Sequence, residues 1–155
     1  MTDWWSERLP CPVAGIRDLA AERQQHLTKP PGSLGRLEAL AVRMAALQGD
    51  PGPAVDPAAI VVFAGDHGVV AEGVSAFPQA VTVAMIRNFA VGGAAISVLA
   101  RQNGADLRVV NCGTAQGHDD LDGVIVVDAG PGTANFCEGP AMTGEQLGVC
   151  LEAGR

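Results

Sequence analysis

Residues 63 to 79, FAGDHGVVAEGVSAFPQ, set an acid beside a histidine among glycines, directly after an apolar run. A carboxylate and an imidazole at such a place can bind a metal, exchange a proton with a substrate or orient a loop. Adjacency in sequence tends to point Asp66 and His67 in different directions, which weakens a direct relay between them. The structural alternative is that Asp66 satisfies loop amides and His67 packs or hydrogen-bonds locally; the residues alone leave both readings open. Phe77 beside Pro78 is suited to walling a flat apolar pocket, or to ordinary packing. Gln79 and Thr82 offer either ligand contacts or helix caps.

Two further stretches can carry chemistry. GPGTAN, residues 130 to 135, approaches the dinucleotide pattern G-x-G-x-x-G, but Pro131 removes an amide and Asn135 replaces the last glycine. Gly92 and Gly93 are able to present amides to an anion, or to mark a close packing point. The chain holds no Walker lysine, no G-x-S-x-G and no H-E-x-x-H. An Asp-His metal-dependent hydrolase built on the GDHG turn is the alternative enzyme class. His26 and His118 lie in polar contexts and are expected to face solvent.

The elements that must position these residues read as α/β. Helical patterns cover 14 to 27 and 34 to 48, the second with Leu34, Leu37, Leu40, Ala41, Met44 and Leu47 on one side and Ser33 as N-cap. QGDPGPAVDP, residues 48 to 57, forbids regular structure and marks a boundary, dividing a helical segment at 1–50 from an α/β portion at 51–155. AAIVVFA (58 to 64), LRVVN (107 to 111) and GVIVVDAG (123 to 130) read as strands, the first as one buried on both faces. Helices are expected at 79 to 90 and 93 to 102, and from the capping-box pattern Thr143/Gln146 to about 153. This alternation predicts a parallel three-stranded sheet with right-handed crossover helices, a Rossmann-like half with open edges. In such sheets ligands gather beyond the carboxyl ends of the strands, where Gly65 to Gly68 sit.

Bulk properties narrow the classes. The chain has 155 residues, 48% of them hydrophobic, and a net charge of -7, with mean hydropathy +0.21. That suffices for a buried core and supplies no general attraction to nucleic acid or anionic lipid. The beginning lacks the pattern of a signal peptide and no apolar run approaches membrane-spanning length, so a cytoplasmic location is expected. The four cysteines show no C-x-x-C pair and read as free, mostly buried thiols.

Longer stretches carry a resemblance. LTKPPGSLGRLEALAVRMA (27 to 45), FAGDHGVVAEGVSAFPQAVT (63 to 82), NFAVGGAAISVLARQNGA (88 to 105) and GTANFCEGPAMT (132 to 143) are similar to the nicotinate-nucleotide:dimethylbenzimidazole phosphoribosyltransferases over nearly the whole chain. The resemblance implies a homodimeric α/β enzyme of cobalamin lower-ligand synthesis. Its reaction moves phosphoribose from nicotinate mononucleotide to 5,6-dimethylbenzimidazole, with a carboxylate as general base and no cofactor or metal. It also implies that Asp66, His67 and Gly68 shape the acceptor loop and that Phe77, Pro78 and Met85 fall at the base pocket. Where some family members have serine and glutamine, this chain has Phe77 and Met85, so apolar contacts are expected. The family's phosphate loop and catalytic glutamate are expected beyond Arg155, leaving no catalytic residue within the chain. A non-catalytic base-binding or interaction half-domain is the second reading.

Overall fold

The computed structural model describes residues 4–9, 11–117, 121–127 and 129–155. His118, expected at the surface, lies outside them. The chain divides into two compact units, Met1–Val55 and Asp56–Arg155.

In the first unit, α1 (Ala14–His26) packs on α2 (Arg36–Gln48), and the amide of Val13 donates to the carbonyl of Ala46 at 3.0 Å. Small residues make this contact: Ala20, Ala45 and Ala46 are buried. The leucines expected to form the packed side of α2 are open instead, Leu37 and Leu47 each at 62% exposure. Apolar periodicity identifies a face that favours cover, not what covers it. His26 is exposed as expected.

Ser33 is not the N-cap. The chain makes two successive turns beginning at Pro30, Ser33 N–H to Pro30 O at 3.1 Å and Gly35 N–H to Gly32 O at 3.0 Å, so the helix starts at Arg36 with Gly35 as its cap. Glu38 then takes over the capping chemistry. Its Oε1 accepts from the Leu34 amide at 3.2 Å and from Lys29 Nζ at 2.8 Å. The Lys29 hydrogen bond, then the Leu34 amide, hold the Glu38 carboxyl below its usual range against a smaller opposing effect of burial.

In the second unit, β1 (Ala59–Ala64), β2 (Asp106–Asn111) and β3 (Val124–Val126) form a parallel sheet in the order β1-β2-β3. The register pairs Ala64 with Asn111 and Asn111 with Val126, so the carboxyl ends of all three strands finish together. Between β1 and β2 run α3 (Ala80–Ala90) and α4 (Ala95–Gln102), both packed on β2; α5 (Gly144–Glu152) follows β3. The core joins Val83 and Ile86 of α3 and Ala100 of α4 to Val109 and Val110 of β2. Among the described residues no helix connects β2 to β3, so only the first crossover is helical.

Three expectations about this unit change. β1 alternates exposed and half-buried residues, with Val61 at 44% and Phe63 at 52% exposure, because it is an edge strand with one open face. β3 is three residues long, since the Ala129 amide turns back onto the Val127 carbonyl at 2.9 Å. Residues Ala80–Gln102 are together long and apolar enough to cross a membrane, at mean hydropathy 1.6, contrary to the sequence reading. The chain breaks them at Val91 to Ala94 into α3 and α4. A Cβ at Gly93 would run into the Asn88 side chain, and Ser97 Oγ donates back to Phe89 O at 3.2 Å. Close packing therefore occupies the Gly92–Gly93 turn.

Candidate functional site

The first strand delivers Asp66 to the carboxyl end of the sheet, where three chain segments meet on it. The Asp66 amide donates to Gly113 O at 2.9 Å, and its carbonyl accepts from the Thr133 amide at 2.9 Å. Its carboxylate is equally engaged: Oδ1 accepts from Thr82 Oγ1 at 2.6 Å and Oδ2 from the Ala115 amide at 2.8 Å. At 4% exposure, Asp66 ties the segments after β1 and β2, the start of α3 and the loop after β3 into one assembly. A buried carboxylate with donors on both oxygens is stable as a structural joint.

His67 is exposed and pairs with Thr133 in an isolated parallel bridge. Its Nδ1 lies 3.3 Å from Thr133 Oγ1, and its carbonyl accepts from Gln79 Nε2 at 3.3 Å. The next amide, of Gly68, donates to Thr133 O at 2.9 Å. Two glycines permit this contact. A Cβ on Gly68 would sit 2.5 Å from the Asn135 nitrogen, and one on Gly132 would sit 2.6 Å from the Asp66 carbonyl oxygen. Gly132 also has φ +120°, a conformation open mainly to glycine.

After Gly68 the chain makes one 3-10 turn, Gly68–Glu72. Glu72 is held by Asn135, whose Nδ2 donates to Glu72 Oε1 at 2.7 Å. Ser75 Oγ then donates to Phe77 O at 2.9 Å, fixing the bend before α3. The loop, His67 and α3 enclose a cleft of about 320 Å³ with Val69, Val70, Val74, Phe77, Pro78 and Val81 as apolar walls. Ser75, Gln79 and Thr82 add polar groups. Mostly apolar walls with a few placed polar groups suit a small flat ligand.

A second hollow of about 280 Å³ shares Gly65, Asp66 and His67 with the first. Phe63, Met142, Cys112 and Cys150 are among its other walls. Burial pushes the Cys112 thiol up from its ordinary value, and the neighbouring Cys150 thiol adds to the rise. Contrary to expectation none of the four cysteines is buried: Cys112 and Cys150 are half-buried, and Cys11 and Cys137 are exposed.

Of the six sequence-predicted site residues, Asp66, His67, Phe77 and Pro78 border the first cleft. Gly68 is turned against Asn135 and is not in its wall. Met85 is also outside that wall, exposed one helical turn beyond Val81. The residues missed by sequence reasoning are Thr133, Gly132 and Ala115, which brace the loop from distant positions. The glycines of GPGTAN serve close chain contact and not dinucleotide binding, Gly132 lying against Asp66 and Gly130 against Gln146. Among the described residues no cluster of three histidine, cysteine, aspartate or glutamate side chains is placed to hold a metal ion. With both Asp66 oxygens occupied, the Asp-His pair does not form the ligand set that the hydrolase alternative needs.

Residues 10–155 match a family model described as phosphoribosyltransferase. The chain is 59% identical over 156 residues to the nicotinate-nucleotide–dimethylbenzimidazole phosphoribosyltransferase of Pseudomonas fluorescens, covering 100% of this chain and 44% of that protein. It is 57% identical over 152 residues to a Pseudomonas putida protein of the same name, covering 98% and 43%. Among solved structures, that of CobT from Thermus thermophilus superposes with a TM-score of 0.83 at 46% identity, over 90% of this chain and 42% of that one. A second structure from that organism, named as the same phosphoribosyltransferase, gives 0.84 at 46% identity, over 92% and 43%. The chain thus spans less than half the length of the relatives it matches.

Proposed function

The chain belongs to the phosphoribosyltransferase family, and we accordingly propose that it forms the base-receiving part of an enzyme transferring phosphoribose from nicotinate mononucleotide to 5,6-dimethylbenzimidazole. The products are α-ribazole 5'-phosphate and nicotinate. The observation that carries this reading is the 59% identity, over the whole chain, to a relative bearing that name. The cleft beside Phe77 supports it, since its apolar walls match the flat hydrocarbon face of the benzimidazole.

In this reading the chain binds and orients the acceptor so that a ring nitrogen attacks the anomeric carbon of the ribose. That nitrogen must lose a proton during attack. Asp66 is committed to Thr82 and Ala115, and Glu72 is exposed and paired with Asn135. We assign the proton to a carboxylate in the part of the relatives' length that this chain does not span. Met85 extends the apolar path along α3 past Val81. The working enzyme is a cytoplasmic homodimer with small-molecule substrates.

The test is to titrate the purified chain with 5,6-dimethylbenzimidazole by calorimetry and then assay turnover with nicotinate mononucleotide. Saturable binding of the base without α-ribazole phosphate is expected. Turnover by these 155 residues alone would overturn the assignment of the base, and absence of saturable binding would overturn the acceptor role.

A further inference from the structure

We propose that Cys112 and Cys150 form a modification site, closing to a reversible disulfide when a hydroperoxide enters the hollow they line. Cys112 lies just past β2, its amide fixed to Ala64 O at 2.7 Å, and Cys150 lies in α5. Both border the hollow beside Phe63, Gly132, Thr133 and Met142, and the Cys150 thiol lies near enough to raise that of Cys112. Each is half-buried, which leaves a path for a small peroxide. A disulfide requires its two Cβ atoms about 4 Å apart, a separation that two cysteines on the wall of one small hollow can reach by a modest shift of α5.

The chemistry balances. The Cys150 thiolate attacks one peroxide oxygen, the O–O bond breaks, and the alcohol (water, for hydrogen peroxide) leaves with the thiol proton. The sulfenic acid so formed is attacked by the Cys112 sulfur, expelling water with the second thiol proton. Two thiols are oxidised and one hydroperoxide is reduced to alcohol and water. The bond would pin α5 to the carboxyl end of β2, next to Gly113, whose carbonyl holds the Asp66 amide.

The chain is treated with hydrogen peroxide, free thiols are alkylated, and the digest is read by mass spectrometry. The expected result is a peptide joining Cys112 to Cys150, lost on reduction by dithiothreitol. Two of the four cysteines should lose alkylation, and the oxidised monomer should unfold at higher temperature. In Cys150→Ser the linked peptide and the thermal shift should both vanish. Cys112 and Cys150 remaining alkylatable after Cys11 and Cys137 have oxidised would overturn the proposal. So would Cys150 advancing to sulfinic acid with no linked peptide.

Discussion

Thr82 Oγ1 donates to Asp66 Oδ1 at 2.6 Å, so the first turn of α3 is bonded directly to a residue two positions past the end of β1. Asp66→Asn keeps the shape but replaces one acceptor by a donor facing a donor. That should lower unfolding free energy by roughly 2 kcal/mol, the scale of a hydrogen bond to a charged group. Urea denaturation measures it, and Thr82→Ser should retain most of the wild-type midpoint.

The approach of Gly68 to Asn135 predicts a steep cost for one methyl group. Gly68→Ala would place its Cβ 2.5 Å from a backbone nitrogen, and forcing the loops apart should cost about 1–3 kcal/mol or more. Gly139→Ala, whose Cβ meets nothing within 4 Å, is the control and should change stability little. Thermal melts of the two variants decide the matter.

Acid should weaken the first unit through Glu38. Its carboxyl is held below the ordinary value of 4.5, so the folded state binds this proton less readily than the unfolded chain. The resulting stabilisation is present above pH 4.5 and is lost as pH falls through the lower folded-state value. Glu38→Gln should flatten the stability profile below pH 4.5, a change readable from urea midpoints taken across that range.

Phe77 is 69% exposed at the mouth of the first cleft, so its removal should scarcely affect folding. Phe77→Ala should nevertheless weaken 5,6-dimethylbenzimidazole binding about tenfold, equivalent to ~1.4 kcal/mol. Equal affinity of variant and wild type in calorimetry would remove Phe77 from the base pocket.

The open face of β1, with Val61 and Phe63, and an edge on each side of the sheet should make the isolated chain self-associate. Sedimentation velocity is expected to show a concentration-dependent species, reduced by Val61→Lys. A monomer with a sharp, concentration-independent unfolding transition would contradict this.

The strands and helices were legible where local pattern and tertiary need agree. β1, β2, α3 and the Thr143/Gln146 cap announce themselves through apolar runs and short-range hydrogen-bond chemistry, and GDHG was placed at a strand end by position alone. What joins residues far apart left little trace. Nothing in the sequence marks Ala115 as the donor to Asp66, because the contact uses a backbone amide that every non-proline residue possesses. Ser33 looked like a cap because its type fits, but the turn after Pro31 consumed the residues that would have followed it. The leucines of α2 showed periodicity without revealing that alanines hold its contact with α1.

Gln146 uses both ends of one amide group. Its Oε1 accepts from the Thr143 amide at 2.9 Å, completing the start of α5, while its Nε2 donates to Ala129 O at 2.9 Å after β3. Glutamate would keep the first bond and forfeit the second, asparagine is a methylene too short to span both, and lysine offers no acceptor. Position 146 thus admits a vocabulary of one residue, and a variant library built there should return glutamine alone among the well-folded survivors.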